Sequence, residues 1–401
     1  MFEKRLSTIE SAERGGLPPD APVIIDVTRL IWRSWAGTLP TGVDKVCLAY
    51  LEHFGHRARA LVQKNELRLV LSVKDSQRLF ALLLKPGKTF RRRLLAMGPG
   101  SLARALLERD VSGQIYLNVG HTGLHAPGLP DWVRARKLKA VYLVHDLIPV
   151  THPEFCRPGQ DELHRQRIRN ALASAAGIIT NSRFTLDVLE GFAEESGVVL
   201  PPASAAWIAG QAAPEIVARS TLGKPHFVTV GTIEGRKNHI LLLRLWKRLA
   251  DRLGETTPKL VIIGQRGWEA EHAIAMLDRC PTIQPHVLEL RSAADEDVAG
   301  LIAGARALLM PSFVEGFGMP VVEALHLGTP VIASDQPVFR EIAGDLPTYI
   351  SSHDGVKWER TVLEFLGDGP ERLRQLAALA GYRAPTWATH FARVERFLAT
   401  L

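Results

Sequence analysis

The chain has 401 residues, enough for about two domains at roughly 150 residues each. Hydrophobic residues make up 46% and charged residues 23%, a globular balance that excludes a disordered or fibrous chain, while the net charge of +7 calls for an anionic partner. Only three cysteines occur, Cys47, Cys156 and Cys280, with no CxxC pair, which excludes a disulfide framework or a cysteine zinc site and fits a reducing cytoplasm.

Residues 1–20, beginning MFEKRLSTIESAERGG, are charged, lack an apolar leader core and read as an N-terminal extension. No apolar run approaches the roughly 20 residues a membrane span needs, so the chain is expected to be cytoplasmic. From there a unit recurs: a short β-branched apolar run, a turn, then a helical pattern. PVIIDV, QIYLNV, AVYLVHD and AGIITNS stand in the first half, and HFVTVGT, KLVIIGQ, RALLMPS and TPVIASD in the second. Apolar throughout and bounded by polar or glycine residues, these runs predict strands of parallel sheets covered on both faces. Helical patterns such as VDKVCLAYLEHFG and ILLLRLWKRLADRLG separate them, so two α/β units are expected.

Within the first unit, residues 85–109 carry Lys85, Lys88, Arg91, Arg92, Arg93, Arg104 and Arg109 among Leu94, Leu95, Leu102, Leu106 and Leu107. Such a basic amphipathic segment suits either solvent or an anionic membrane surface. Nucleic acid is not expected, because no RNP-type aromatic pair, helix-turn-helix signature or zinc knuckle accompanies the charge. The domains are placed at 21–200 and 223–382, with a proline- and alanine-rich linker at 201–222. Residues 383–401 form a last helix with Trp387, Phe391, Val394, Phe397 and Leu398 on one stripe.

In open α/β sheets ligands collect beyond the carboxyl ends of strands. After HFVTV comes GTIEGRKNH, where Gly231 permits close backbone approach and Arg236 and Lys237 offer two cations for a diphosphate. KLVII is followed by GQRGWEAEH, in which Gly264 and Gly267 flank Arg266. RALLMPS leads into the glycine-bearing loop FVEGFGM, Pro320 is placed at the first position of a helix that Gly328 ends, and the helix start is an anion site. Glu315 in that loop and Glu323 in the helix would repel a diphosphate unless they accept hydrogen bonds from hydroxyls on either side of it, as on a nucleotide sugar. The acidic triplet Asp295, Glu296 and Asp297 reads as a helix start with Asp295 capping, not as a metal site.

VGTIEGRKNH followed about seventy residues later by MPSFVEGFGMPVVEALHLGTPVIASDQPVFREIAGD resembles the family 4 retaining glycosyltransferases, the group 1 glycosyl transferases of GT-B fold, through its E-x7-E pattern. The first unit is similar more loosely, through TGVDKVCLAYL, VHDLIP and TNSRFT. The resemblance implies an α/β fold of two Rossmann-like domains with a cleft between them and a C-terminal helix crossing back to the first. It implies Glu315 on the donor sugar, Glu323 on the ribose, backbone N–H groups of Phe317 and Gly318 on sugar and diphosphate, and Arg236 and Lys237 stabilising the leaving group. Many members carry an arginine where this chain has Thr232, and Arg236 stands in for it. Gly42 falls in the loop that approaches the phosphates, with Gly231, Gly264 and Arg266 also on the donor side. His145 at the end of AVYLV is placed near the donor sugar, and His121, Asp146 and Ser182 are weaker acceptor-side candidates. The implied activity is retaining, metal-independent transfer of a hexosyl group, taken as mannosyl, from a UDP- or GDP-linked donor to a saccharide or lipid-linked acceptor, with no cofactor. A nucleotide-sugar epimerase of the same architecture and a non-catalytic binding subunit are the alternatives.

Overall fold

The computed structural model describes residues 21–38, 40–106, 110–210 and 218–401. The N-terminal extension, Leu107 and Arg109 of the basic segment, and residues 211–217 of the linker therefore lie outside the described residues. Seven strands build the first sheet: β1 Val23–Asp26, β2 Ala58–Lys64, β3 Leu67–Val70, β4 Ile115–Asn118, β5 Lys139–Val144, β6 Ala175–Thr180 and β7 Ala203–Ala205. Their spatial order is β3-β2-β1-β4-β5-β6-β7, parallel except for the β2/β3 pair. The second sheet holds β8 His226–Val230, β9 Lys259–Ile263, β10 Val287–Leu290, β11 Leu308–Met310, β12 Val331–Ser334 and β13 Thr348–Ile350, all parallel, in the order β10-β9-β8-β11-β12-β13. Both orders reverse direction once, between β1 and β4 and between β8 and β11, and a ligand crevice opens at the strand ends of such a switch point.

All eight apolar runs expected as strands are strands. Those not expected sit mostly toward the sheet edges, where the apolar signal thins: in β2 half-buried Arg59 and the buried but polar Gln63 interrupt the run, and β10 is largely half-buried. β7 corrects the domain division, because Ala203–Ala205 pairs with β6 inside the segment taken as linker, and three small residues carry no periodic signal. The acidic triplet also differs in detail: Ala294 is the N-cap of the helix Asp295–Gly304, so the three acids fill its first turn and complement the helix dipole.

The helix Trp387–Leu398 starts on a reciprocal cap between Thr386 and Thr389 and packs on the first domain. Phe391 stacks on His53 at 3.9 Å between centroids and meets Tyr50 and Phe54 edge-on. Glu395 accepts hydrogen bonds from His53 at 2.9 Å and Arg57 at 2.7 Å, and His390 bonds the Tyr50 hydroxyl at 3.0 Å. A second bridge runs the other way: Glu341 of the second domain accepts the Arg183 and Phe184 N–H groups, at 2.7 and 2.8 Å, and caps the helix Arg183–Glu195 of the first. Among the described residues no helix is long and apolar enough to cross a membrane.

Phe391 is 5% exposed, so Phe391→Ala removes a large buried ring from the contact with the first domain. The expected cost is about 3 kcal/mol or more, read as an earlier midpoint in urea unfolding.

Candidate active site

Two strand-end loops meet at the switch point of the second sheet. After β8 the chain makes a short turn at Gly235–Lys237, and Asn238 takes the left-handed conformation (φ 55°) before the helix His239–Leu253. Asparagine tolerates that geometry. Its side-chain amide also donates to the Pro311 and Ser352 carbonyls, at 3.2 and 3.0 Å, which ties the turn to the ends of β11 and β13. The Phe313 N–H donates to the Arg236 carbonyl at 2.7 Å. The Asn238 amide and this backbone bond therefore set Arg236 and Lys237 beside the loop that carries Glu315.

Their side chains complete the join. One Glu315 oxygen accepts from Arg236 Nη1 at 2.6 Å, and the other from Lys237 Nζ at 2.5 Å and Ser312 Oγ at 2.8 Å. Arg236 Nη2 lies 2.6 Å from Glu234, which is itself buried. Two cations and two carboxylates thus form a formally neutral set, so the cations are not free as the sequence suggested. Burial would push the Glu315 carboxyl up, but Arg236 and Lys237 together outweigh it and bring it down to about 2. Burial pulls Lys237 below the usual lysine range even with Glu315 in contact. His239 is buried near the same charges with neither ring nitrogen hydrogen-bonded, and burial pulls it down to about 3.

Glycines shape the approach. Gly231 (φ 140°) sits in a backbone region closed to other residues, with the Lys237 side chain over it, and a Cβ on Gly264 would strike the Gly231 carbonyl. Gly318 (φ 107°) is the N-cap of the helix Met319–His326, and Pro320 occupies its second position, one later than expected. Among the described residues the Gly316, Phe317 and Gly318 N–H groups donate to no protein acceptor, so they stay available at this helix start. Glu323 lies in the second turn, packed near Gly210, and Gly42 faces the same helix start across the cleft against Met319.

The first domain contributes the strand ends of β4 and β5. His145 is buried, bonds the Val119 carbonyl through Nε2 at 2.7 Å, and is kept neutral by burial. Gly316 packs against the His145 carbonyl and Asp146, and its own carbonyl accepts from Ser182 at 3.2 Å and Thr185 at 3.1 Å. Phe155 and Phe313 stack across the domains at 5.2 Å. Glu315, Arg236, Lys237, His145, Asp146, Gly42, Gly318 and Gly231 are therefore brought into one region.

Two candidates have side chains committed to partners within the protein. Arg266 gives four of its five N–H groups to Asp278 and Glu289, at 2.5 to 2.8 Å, and is held there instead of on the donor side. Ser182 accepts the Thr185 N–H at 3.0 Å as a helix N-cap, which spends its hydroxyl on structure. Sequence reading missed Glu234 and Ser312, although both lie within quoted motifs; a carboxylate two residues before an arginine was the available signal for Glu234.

Glu315 has an ordinary carboxyl value of 4.5 and a folded value of about 2, so its charge stabilises the native state fully above 4.5 and that contribution is lost as pH falls toward 2. Glu315→Gln leaves two cations under-paired and should cost about 3 kcal/mol at pH 7. The gap from the parent, followed by thermal unfolding, should narrow between pH 4.5 and pH 3.

Residues 215–378 match the sequence model of the glycosyl transferases group 1. The serotype-specific mannosyltransferase WbdA of Escherichia coli is 30% identical over 268 residues, which cover 59% of this chain and 31% of that protein. The chain therefore spans about a third of the length of this relative. The O-antigen chain mannosyltransferase B of Escherichia coli is 28% identical over 280 residues, covering 68% of this chain and 70% of that one. Among solved structures, Anabaena HepE in complex with UDP aligns with a TM-score of 0.65 at 13% identity, over 94% of this chain and 99% of that one. Sucrose-phosphate synthase from Thermosynechococcus elongatus aligns with a TM-score of 0.60 at 13% identity, over 94% and 98% of the two chains. Residues 215–378 thus carry the sequence pattern of group 1 glycosyl transferases, and the described residues have the two-domain GT-B fold.

Proposed function

We propose that this protein is a glycosyltransferase that moves a hexosyl group, mannosyl by preference, from a UDP- or GDP-linked donor to a saccharide or lipid-linked saccharide in polysaccharide or lipopolysaccharide assembly. The observation that carries it is the Glu315 carboxylate held between Arg236 and Lys237, directly beside a helix start with free N–H groups. The two mannosyltransferase relatives support the sugar. The donor diphosphate lies along the Phe317 and Gly318 N–H groups, where backbone donors and the helix dipole favour anions. Arg236 and Lys237, held beside it by Glu315, meet the charge that develops on the leaving phosphate as the bond to the sugar breaks. Glu315 and Glu323 accept from hydroxyls of the sugar and the ribose, and neutral His145 closes the sugar side. The transfer is of the family 4 retaining type, with the departing phosphate receiving the acceptor's proton, and neither a metal nor a cofactor has a role in it.

The basic face of the helix Phe90–Leu106 supports a peripheral place on an anionic membrane. Lys85, Lys88, Arg92 and Arg93 are exposed beside Leu95, which is 64% exposed, whereas Arg91 and Arg104, also exposed, are tied to the Trp35 carbonyl and to Asp75.

Incubation with UDP- and GDP-mannose and a mannoside acceptor should yield a disaccharide, and Lys237→Ala should lower its rate by about 10²–10³-fold. Epimerised donor in the absence of acceptor, or full turnover in Lys237→Ala, would refute the reading. Sedimentation with phosphatidylglycerol vesicles should carry the protein down, and Arg92→Glu with Arg93→Glu should leave it in the supernatant.

A further inference from the structure

We propose that the first domain holds an anion subsite centred on Arg167, and that the acceptor presents a phosphate or carboxylate to it. The word acceptor rests on the glycosyltransferase reading; the subsite rests on the geometry.

Arg167 lies on the helix Gln160–Ser174, three residues after His164 and three before Asn170. Residues so spaced share a helix face. His164 Nε2 bonds the Asp146 carbonyl at 3.1 Å, and Asn170 Nδ2 donates to the Leu124 and Ala126 carbonyls at 2.7 and 3.0 Å. Arg167 is thereby set over the loop after β4, between the ends of β4 and β5. Its Nε–H is buried without a partner, and among the described residues no carboxylate lies within ion-pair distance of its guanidinium. A second cation acts on it, Arg29, whose own Nε is committed to Asp44 at 2.6 Å. Burial and Arg29 both disfavour the Arg167 charge, and Asp146 only partly offsets them. A half-buried cation kept beside another cation, with an unanswered donor, is a place built for an anion that the chain itself does not supply.

The surroundings say what else the ligand carries. His121, held in a left-handed conformation (φ 59°), lies 5.1 Å from His145 and 5.9 Å from His164 between ring centroids. Each ring places Nε2 on a backbone carbonyl: Leu143 at 2.8 Å for His121, Val119 at 2.7 Å for His145 and Asp146 at 3.1 Å for His164. A carbonyl can only accept, so Nε2 carries the proton, and burial keeps all three rings neutral with Nδ1 as an acceptor. Among the described residues no group of histidine, cysteine and carboxylate side chains is arranged to hold a metal. Three acceptors beside one uncommitted guanidinium suit a hydroxylated ring bearing a single anionic group. Gly316 of the Glu315 loop meets the patch at the His145 carbonyl and Asp146, so the subsite adjoins the donor side there.

Calorimetric titration of the protein saturated with nucleoside diphosphate, using inorganic phosphate and glucuronate, tests the subsite. The native protein should bind at least one of them saturably, Arg167→Gln should weaken that binding at least ten-fold, and Arg167→Lys should recover most of it, with nucleoside diphosphate affinity unchanged in both variants. With mannose 6-phosphate as acceptor, Arg167→Gln should raise the acceptor KM at least ten-fold while kcat stays within two-fold. Equal anion affinity in native protein and Arg167→Gln, or no anion binding at all, overturns the proposal. So does a parallel loss of nucleoside diphosphate affinity, which would assign Arg167 to the donor. Anion binding that depends on Arg167 in a protein that transfers no sugar would uphold the subsite and refute the glycosyltransferase reading instead.

Discussion

Burying one carboxylate between two cations is the constraint on which the second domain's site depends. Isolated, any of these charges would be strongly disfavoured away from water; together they are tolerated because each has an opposite neighbour and the hydrogen bonds are filled. Glu315 answers Arg236 and Lys237, and Glu234 answers Arg236 a second time. The pairing spans two loops that leave neighbouring strands, β8 and β11, so it fixes the mouth of the crevice at the point where the sheet order reverses. It also sets a competition. A second anion brought here would have to share cations already claimed by carboxylates, so its affinity would report a difference between two anionic partners, not the full attraction of either.

The fold was largely legible because parallel strands covered on both faces leave uninterrupted apolar runs, and all eight such runs became strands. What escaped was edge structure, β2, β3, β7, β10 and β13, where solvent on one side or a length of three residues removes the run. The site was legible where chemistry follows chain order, as in GRK and VEGFG. It was illegible where partners come from elsewhere: nothing local to Arg266 says that Asp278 and Glu289 will close on it, and nothing in QRIRN marks Arg167 as a cation without a counter-charge. Ser182 illustrates a third limit, since a serine before a helix is first a cap.

The first domain works by different means. The imidazoles of His121, His145 and His164 turn their protons toward backbone carbonyls, so here acceptors stand beside the guanidinium of Arg167. The second domain's surface, with its helix start and paired cations, offers donors.

Because the helix Trp387–Leu398 returns to the first domain, the chain crosses between the domains twice, once after β7 and once before Trp387. A single crossing would let one domain swivel freely against the other. Two crossings restrict such a swivel to rotation about the line that joins them, and any rotation that parts the domains at the cleft has to break the Glu341 cap and the Phe155–Phe313 stack, which both bridge them.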